Sequence, residues 1–165
     1  MRNPLPRARA VTAGSVFLLL LLLPSVAAAQ SSTRYINPPA LAKPTGYTHV
    51  VIAPDGRTVY IAGQVAFDST GAIVGQGDFT AQAEQVYRNL ERALQSVGGS
   101  MADVVKTTTF ITDIKNLPSL REVRSRRLSK LQPPANTLLG VSSLARPELL
   151  IEIEAVAILG RIVRQ

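Results

Sequence analysis

The chain has 165 residues, with 18 Lys or Arg against 11 Asp or Glu, a formal charge of +7, one histidine and no cysteine. This length fits one domain, and the missing thiols exclude disulfides, iron–sulfur clusters, Cys-ligated zinc and a thiol nucleophile. Stability has to come from an apolar core, into which a domain of this size folds about two thirds of its unfolded surface.

Residues 1–29 have the layout of an export signal. Arg2, Arg7 and Arg9 make a basic start without an acid, and Val16-Phe17 leads into six leucines, Leu18 to Leu23. Pro24 breaks the run, and Ala27-Ala28-Ala29 puts small residues where a signal peptidase cuts, after Ala29. The unbroken apolar stretch falls short of the roughly 20 residues that span a bilayer, so no stable membrane association is expected after cleavage. No Cys follows the core and no Arg-Arg pair precedes it, so neither lipidation nor the twin-arginine route is indicated. The expected location is the periplasm or the exterior. Cleavage removes three arginines and leaves fifteen basic against eleven acidic side chains, a net +4 that does not argue for nucleic acid.

Residues 30–46, rich in Ser, Pro and Gly, read as an irregular surface segment, and 47–160 as the folded domain. Tyr47 to Ala53 alternates, Pro54-Asp55-Gly56 is a turn, and Thr58 to Ala62 resumes the strand pattern, which together predict a hairpin. Ser69-Thr70-Gly71 turns into a short strand at Ala72 to Val74. A first helix follows, capped by Asp78 or Thr80, with Ala83, Val86, Leu90, Leu94 and Val97 on one stripe and Gly98-Gly99 at its end. Glu84 and Arg88 stand at i,i+4 in it and are expected to pair. Val104 to Thr112 is a strand. Pro118 suits the first turn of a second helix, buried through Leu120, Val123, Leu128 and Leu131 and stopped by Pro133-Pro134. Asn136 to Ser142 and Leu149 to Leu159 close the chain as strands. Helices interleaved with strands predict an α+β sheet with both helices on one face, and an oligomer to cover the apolar side chains of the other.

Candidate sites follow. His49, with no second imidazole or thiol, reads as a polar strand residue rather than a metal ligand or base. Gly71, Gly75 and Gly77 match no phosphate-loop spacing and read as turn glycines. Arg121, Arg124, Arg126, Arg127 and Lys130 crowd the second helix. Without interleaved aromatics they read as a solvated face, with Glu122 pairing to Arg126. The run Ile151-Glu152-Ile153-Glu154-Ala155 is the informative one. It puts two carboxylates on one face of a strand, where they need water, a partner or a ligand.

That run resembles the closing signature of the Rid (reactive intermediate deaminase, YjgF-like) family. Thr45-Gly46-Tyr47-Thr48, Val59-Tyr60-Ile61-Ala62-Gly63-Gln64, Met101 to Phe110 and Pro134-Ala135 match further family blocks in order, across most of 34–159. The resemblance implies a chorismate-mutase-like fold: a six-stranded sheet, two helices on one face, and a homotrimer with clefts between subunits. It also implies cofactor-independent hydrolysis of small imines or enamines to 2-keto acids and ammonia.

Carried over by position, the family's cleft tyrosine falls on Tyr47 and its water-orienting glutamate on Glu152, the catalytic candidates. The strand-end Ser-Gly falls on Ala62-Gly63, so the hydroxyl is missing. Gly63 is carried over as a substrate-binding residue, and the position two past the family's arginine, which supplies backbone contacts there, is Leu138. The arginine that binds the substrate carboxylate falls on Asn136, and losing its charge-assisted bonds should cost at least about tenfold in affinity for an imino acid. An altered ligand without a carboxylate is therefore expected, held by Asn136. Compartment agrees, since the usual imino acids arise in the cytoplasm. The alternative is a trimer that binds a small molecule without turning it over. Either reading needs Asn136 and Glu152 to face a shared pocket between protomers.

Overall fold

The computed structural model describes residues 32–160, so the expected export signal at 1–29 lies outside the described residues. Its elements are β1 (Arg34–Ile36), β2 (Val50–Ile52), β3 (Arg57–Gln64), α1 (Phe79–Gln95), β4 (Val104–Ile111), α2 (Leu117–Arg127), β5 (Ala135–Gly140) and β6 (Ile151–Leu159). The fold is α+β, two helices on a mixed sheet. The six strands divide into a four-stranded sheet, ordered β3-β6-β4-β5, and a β1-β2 pair. One parallel bridge, Thr48 to Ala135, brings the segment before β2 against the start of β5. Within the larger sheet β4 and β5 run parallel and the other pairings are antiparallel.

β6 lies between β3 and β4, and its alternation sorts the sheet into two faces. Ile151, Ile153, Ala155, Ala157 and Leu159 are buried under the helices, while Glu152, Glu154, Val156 and Ile158 face the other way. From α1, Ala83, Val86, Leu90 and Leu94 enter this core, and from α2, Leu120 and Val123. Each large aliphatic side chain so buried contributes about 1.5–3 kcal/mol. Gln82, fully buried, joins the layers by hydrogen bonding. Its Nε2 donates to the Glu148 carbonyl at 2.8 Å and its Oε1 accepts from the Leu150 N–H at 2.8 Å.

The expected hairpin of 47–53 with 58–62 does not form. β2 pairs with β1, inside the segment read as irregular, and β3 pairs with β6. Pro54-Asp55-Gly56 marks a change of direction, but the partner is chosen by burial. Val59 and Ile61 reach the core only from a place beside β6. The short strand at 72–74 is a single bridge, Phe67 to Ile73, around a turn held by Asp68. α1 is capped by Asp78, which accepts from Ala81 N–H at 3.0 Å. The helices end at Gln95 and Arg127, so Val97 and Leu131 miss the core; Leu131 is 94 % exposed. The glycines at 71, 75 and 77 all take positive φ, as turn residues.

Glu84 does not pair with Arg88, which donates to Gln85 Oε1 instead. It joins the helices by accepting hydrogen bonds from Arg126 and Arg127 of α2, and Arg126 also pairs with Glu122 as expected, at 2.6 Å. Burial pulls the Glu84 carboxyl upward, but the bonds from Arg127 and Arg126 outweigh it and hold the group below its ordinary 4.5. Stability from a depressed carboxyl is present above that value and lost as pH falls through the lower folded value. Glu84→Gln should lower stability at pH 7 by about 0.5–1 kcal/mol, the range of a solvent-screened pair. The difference from wild type should shrink below pH 4.5 in urea titrations.

Candidate functional site

Thr48 sets the position of the first group of candidate residues. Its hydroxyl donates to the Pro133 carbonyl at 2.6 Å and its N–H to the Pro134 carbonyl at 3.2 Å. The Tyr47 side chain is thereby held beside the head of β5, over a cavity of about 170 Å³. Tyr47, Asn136 and Leu138 line this cavity together with Leu117, Arg121 and Arg124 of α2. Three of the five residues predicted for the site therefore converge.

Asn136 does not present the donors expected of it. Its amide nitrogen donates to Thr107 Oγ1 at 2.8 Å and to Thr109 Oγ1 at 3.2 Å, both on β4. Those bonds satisfy two buried hydroxyls and fix the amide against the sheet. The charged donors of the cavity are the guanidiniums of Arg121 and Arg124, which sequence reasoning placed on a solvated face. Their i,i+3 spacing was the available signal, since it puts both on one side of the helix. Arg124 is only 9 % exposed. Burial pulls its pKa below the ordinary value, opposed by the nearby Tyr87.

The second group lies elsewhere. Glu152 pairs across the sheet with Phe110, and Asn136 with Thr107, which in turn pairs with buried Ala155. Paired residues share a face, so Glu152 points to the open face and Asn136 to the helix-covered one. A single protomer does not bring them into one pocket. Glu152 instead meets Gly63. β3 carries an irregularity between Ile61 and Gln64, opposite the stretch of β6 from Ile153 to Ala155. There the Glu152 side chain leans across Gly63, so closely that a Cβ on Gly63 would stand 2.7 Å from Glu152 Cδ and 3.0 Å from Cγ. The glycine is required by that approach. Beside it on the open face lies a shallow cavity of about 380 Å³ with Tyr60, Lys106, Thr108 and Glu154 on its wall.

His49 is engaged structurally. Its Nε2–H donates to the Ala42 carbonyl at 2.8 Å, and its ring meets Tyr47 edge-on at 5.2 Å between centroids. It buttresses the tyrosine and does not line the cavity.

The comparisons with known proteins agree with this architecture. The family model described as Endoribonuclease L-PSP matches residues 38–159. A Rid-family protein of unknown function from Yersinia pestis, solved by crystallography, is 41 % identical, with a TM-score of 0.73 over 78 % of this chain and all of that one. RidA from an Antarctic Psychrobacter is 37 % identical, with a TM-score of 0.58 over 64 % of this chain and 83 % of its own. The human 2-iminobutanoate/2-iminopropanoate deaminase is 34 % identical over 104 residues, 63 % of this chain and 74 % of that protein. The chain belongs to the Rid family.

Gly63→Ala should drive the Glu152 carboxylate off its present position while leaving the fold intact, because the obstructing atoms end a flexible side chain. A crystal structure of the variant should show Glu152 in another rotamer. The stability change should stay under about 1 kcal/mol.

Proposed function

We propose that the chain is an exported, cofactor-independent hydrolase of small imines or enamines that works as a homotrimer, with a substrate range altered by Asn136. One observation carries the reading. The candidate residues form two half-sites, Tyr47, Asn136 and Leu138 beside the edge strand β5, and Gly63 and Glu152 on the open face beside the opposite edge strand β3. Each half is incomplete alone, and edge-to-edge packing of copies would set one protomer's first half against its neighbour's second. The exposed side chains of the open face, Tyr60 at 81 % among them, would be covered by the same packing. The human relative's name supplies the reaction class, and the layout of residues 1–29 supplies export.

In the reaction, Glu152 accepts a proton from a water as its oxygen adds to the C=N carbon. Glu152 passes that proton to the nitrogen, giving a neutral carbinolamine, and then carries the hydroxyl proton to the nitrogen as the C–N bond breaks, so that ammonia leaves and the keto product remains. A positioned carboxylate acting in this way contributes about 10²–10⁴ in rate. Tyr47 and Leu138 shape the substrate end, and Asn136 forms its wall on the β5 side.

Purified protein should hydrolyse at least one member of a panel of freshly generated imines, and Glu152→Gln should lower kcat by about a hundredfold or more. An unchanged rate in that variant removes the mechanism. Ligand-induced stabilisation without product would favour the reading of Asn136 and the missing Ser hydroxyl at Ala62 as marks of a binding protein.

Asn136→Arg returns the charge that this chain lacks at the strand. It should raise kcat/KM for 2-iminobutanoate by about tenfold or more, the worth of a charged hydrogen bond gained. Steady-state kinetics on both proteins checks this.

A further inference from the structure

The five cations on and after α2 are not equivalent. Arg126 and Arg127 are neutralised by Glu84 and Glu122. Among the described residues, Arg121, Arg124 and Lys130 have no carboxylate at ion-pair distance, and all three line one groove of about 260 Å³. Its other walls include the turn at Thr45–Gly46 and the hydroxyl residues Ser125 and Ser129, and no acidic side chain lines it. The groove lies across Arg124 from the cavity of Tyr47 and Asn136, sharing Thr45, Arg121 and Arg124 with it.

Arg124 is the informative member. It is nine-tenths buried, and among the described residues its one side-chain hydrogen bond is a long one, from Nη2 to the Thr45 carbonyl at 3.4 Å. The turn is shaped to admit it. Gly46 takes φ +76°, and a Cβ there would stand 2.5 Å from Arg124 Nη2. A desolvated guanidinium with one weak neutral acceptor is costly to the fold unless an anion meets it. Arg121 and Lys130 add two further positive charges at the mouth of the groove that no carboxylate of the described residues pairs with. Guanidinium groups bind phosphate and carboxylate oxygens through paired N–H donors.

We propose that this groove binds a small anion, a compact phosphate or carboxylate compound, through Arg124 at its floor and Arg121 and Lys130 at its mouth. The groove adjoins the half-site of Tyr47 and Asn136 and shares Thr45, Arg121 and Arg124 with it, but anion binding there does not require imine hydrolysis. The groove is too small for a polymer, and no aromatic side chain lines it to stack a base.

Calorimetric titration of the purified protein with inorganic phosphate and, separately, with citrate tests it, at ionic strength held constant with sodium chloride. At least one should bind saturably, and the arm that binds identifies the anion chemistry. Arg121→Gln/Lys130→Gln, both exposed positions expected to leave folding intact, should weaken binding tenfold or more. Arg124→Gln should abolish it, and Arg126→Gln should leave it unchanged. The proposal is overturned if neither anion gives heat beyond that of chloride. It is equally overturned if Arg126→Gln weakens binding as much as the double variant, which would reduce the effect to net charge, or if only a single-stranded RNA fragment binds.

Discussion

Everything in this protein is arranged around the two-sidedness of β6. A strand hydrogen-bonded on both edges has no freedom to turn its side chains, so Ile151, Ile153, Ala155, Ala157 and Leu159 go under the helices and Glu152 and Glu154 go to the open face. A one-residue slip would bury two carboxylates and expose five apolar groups. The register of β3 and β4 is thereby fixed, and with it the placement of Gly63 under Glu152 and of Thr107 and Thr109 under Asn136.

The helices secure this arrangement through polar as well as apolar contacts. Gln82 replaces two hydrogen bonds that the chain entering β6 would otherwise make to water, and leaving such buried groups unpaired costs about 1–3 kcal/mol each. Asn89 does the same for the Val65 and Phe67 carbonyls, fastening the loop after β3 to α1. Glu84 draws Arg126 and Arg127 toward α1. That leaves the other side of α2, with Arg121 and Arg124, turned toward Tyr47 and β5. One interhelical ion-pair cluster therefore decides which arginines are spent on the fold and which remain for a ligand.

Asn136 has a structural role of its own. Asn136 is short enough to satisfy Thr107 and Thr109 and stays against the sheet, so positive charge enters the cavity from the helix side instead. The cavity has a cationic character although Asn136, on its strand side, is neutral.

What the sequence determined by itself is the set of local facts: α1 from its apolar spacing and a cap at Asp78 or Thr80, α2 from Pro118, the turn glycines, the two-faced alternation of β6, and the Rid family from blocks in order. Each depends on neighbours within a few residues, where periodicity and capping act. Only the tertiary structure decided that β2 pairs with β1 and β3 with β6, that Glu84 prefers α2 to Arg88, that Arg121 and Arg124 face a cavity, and that Asn136 and Glu152 lie on opposite faces of the sheet. Those outcomes are competitions among partners distant in the chain. They are settled by which pairing buries more apolar surface and leaves fewer charges alone, a comparison that no single segment contains.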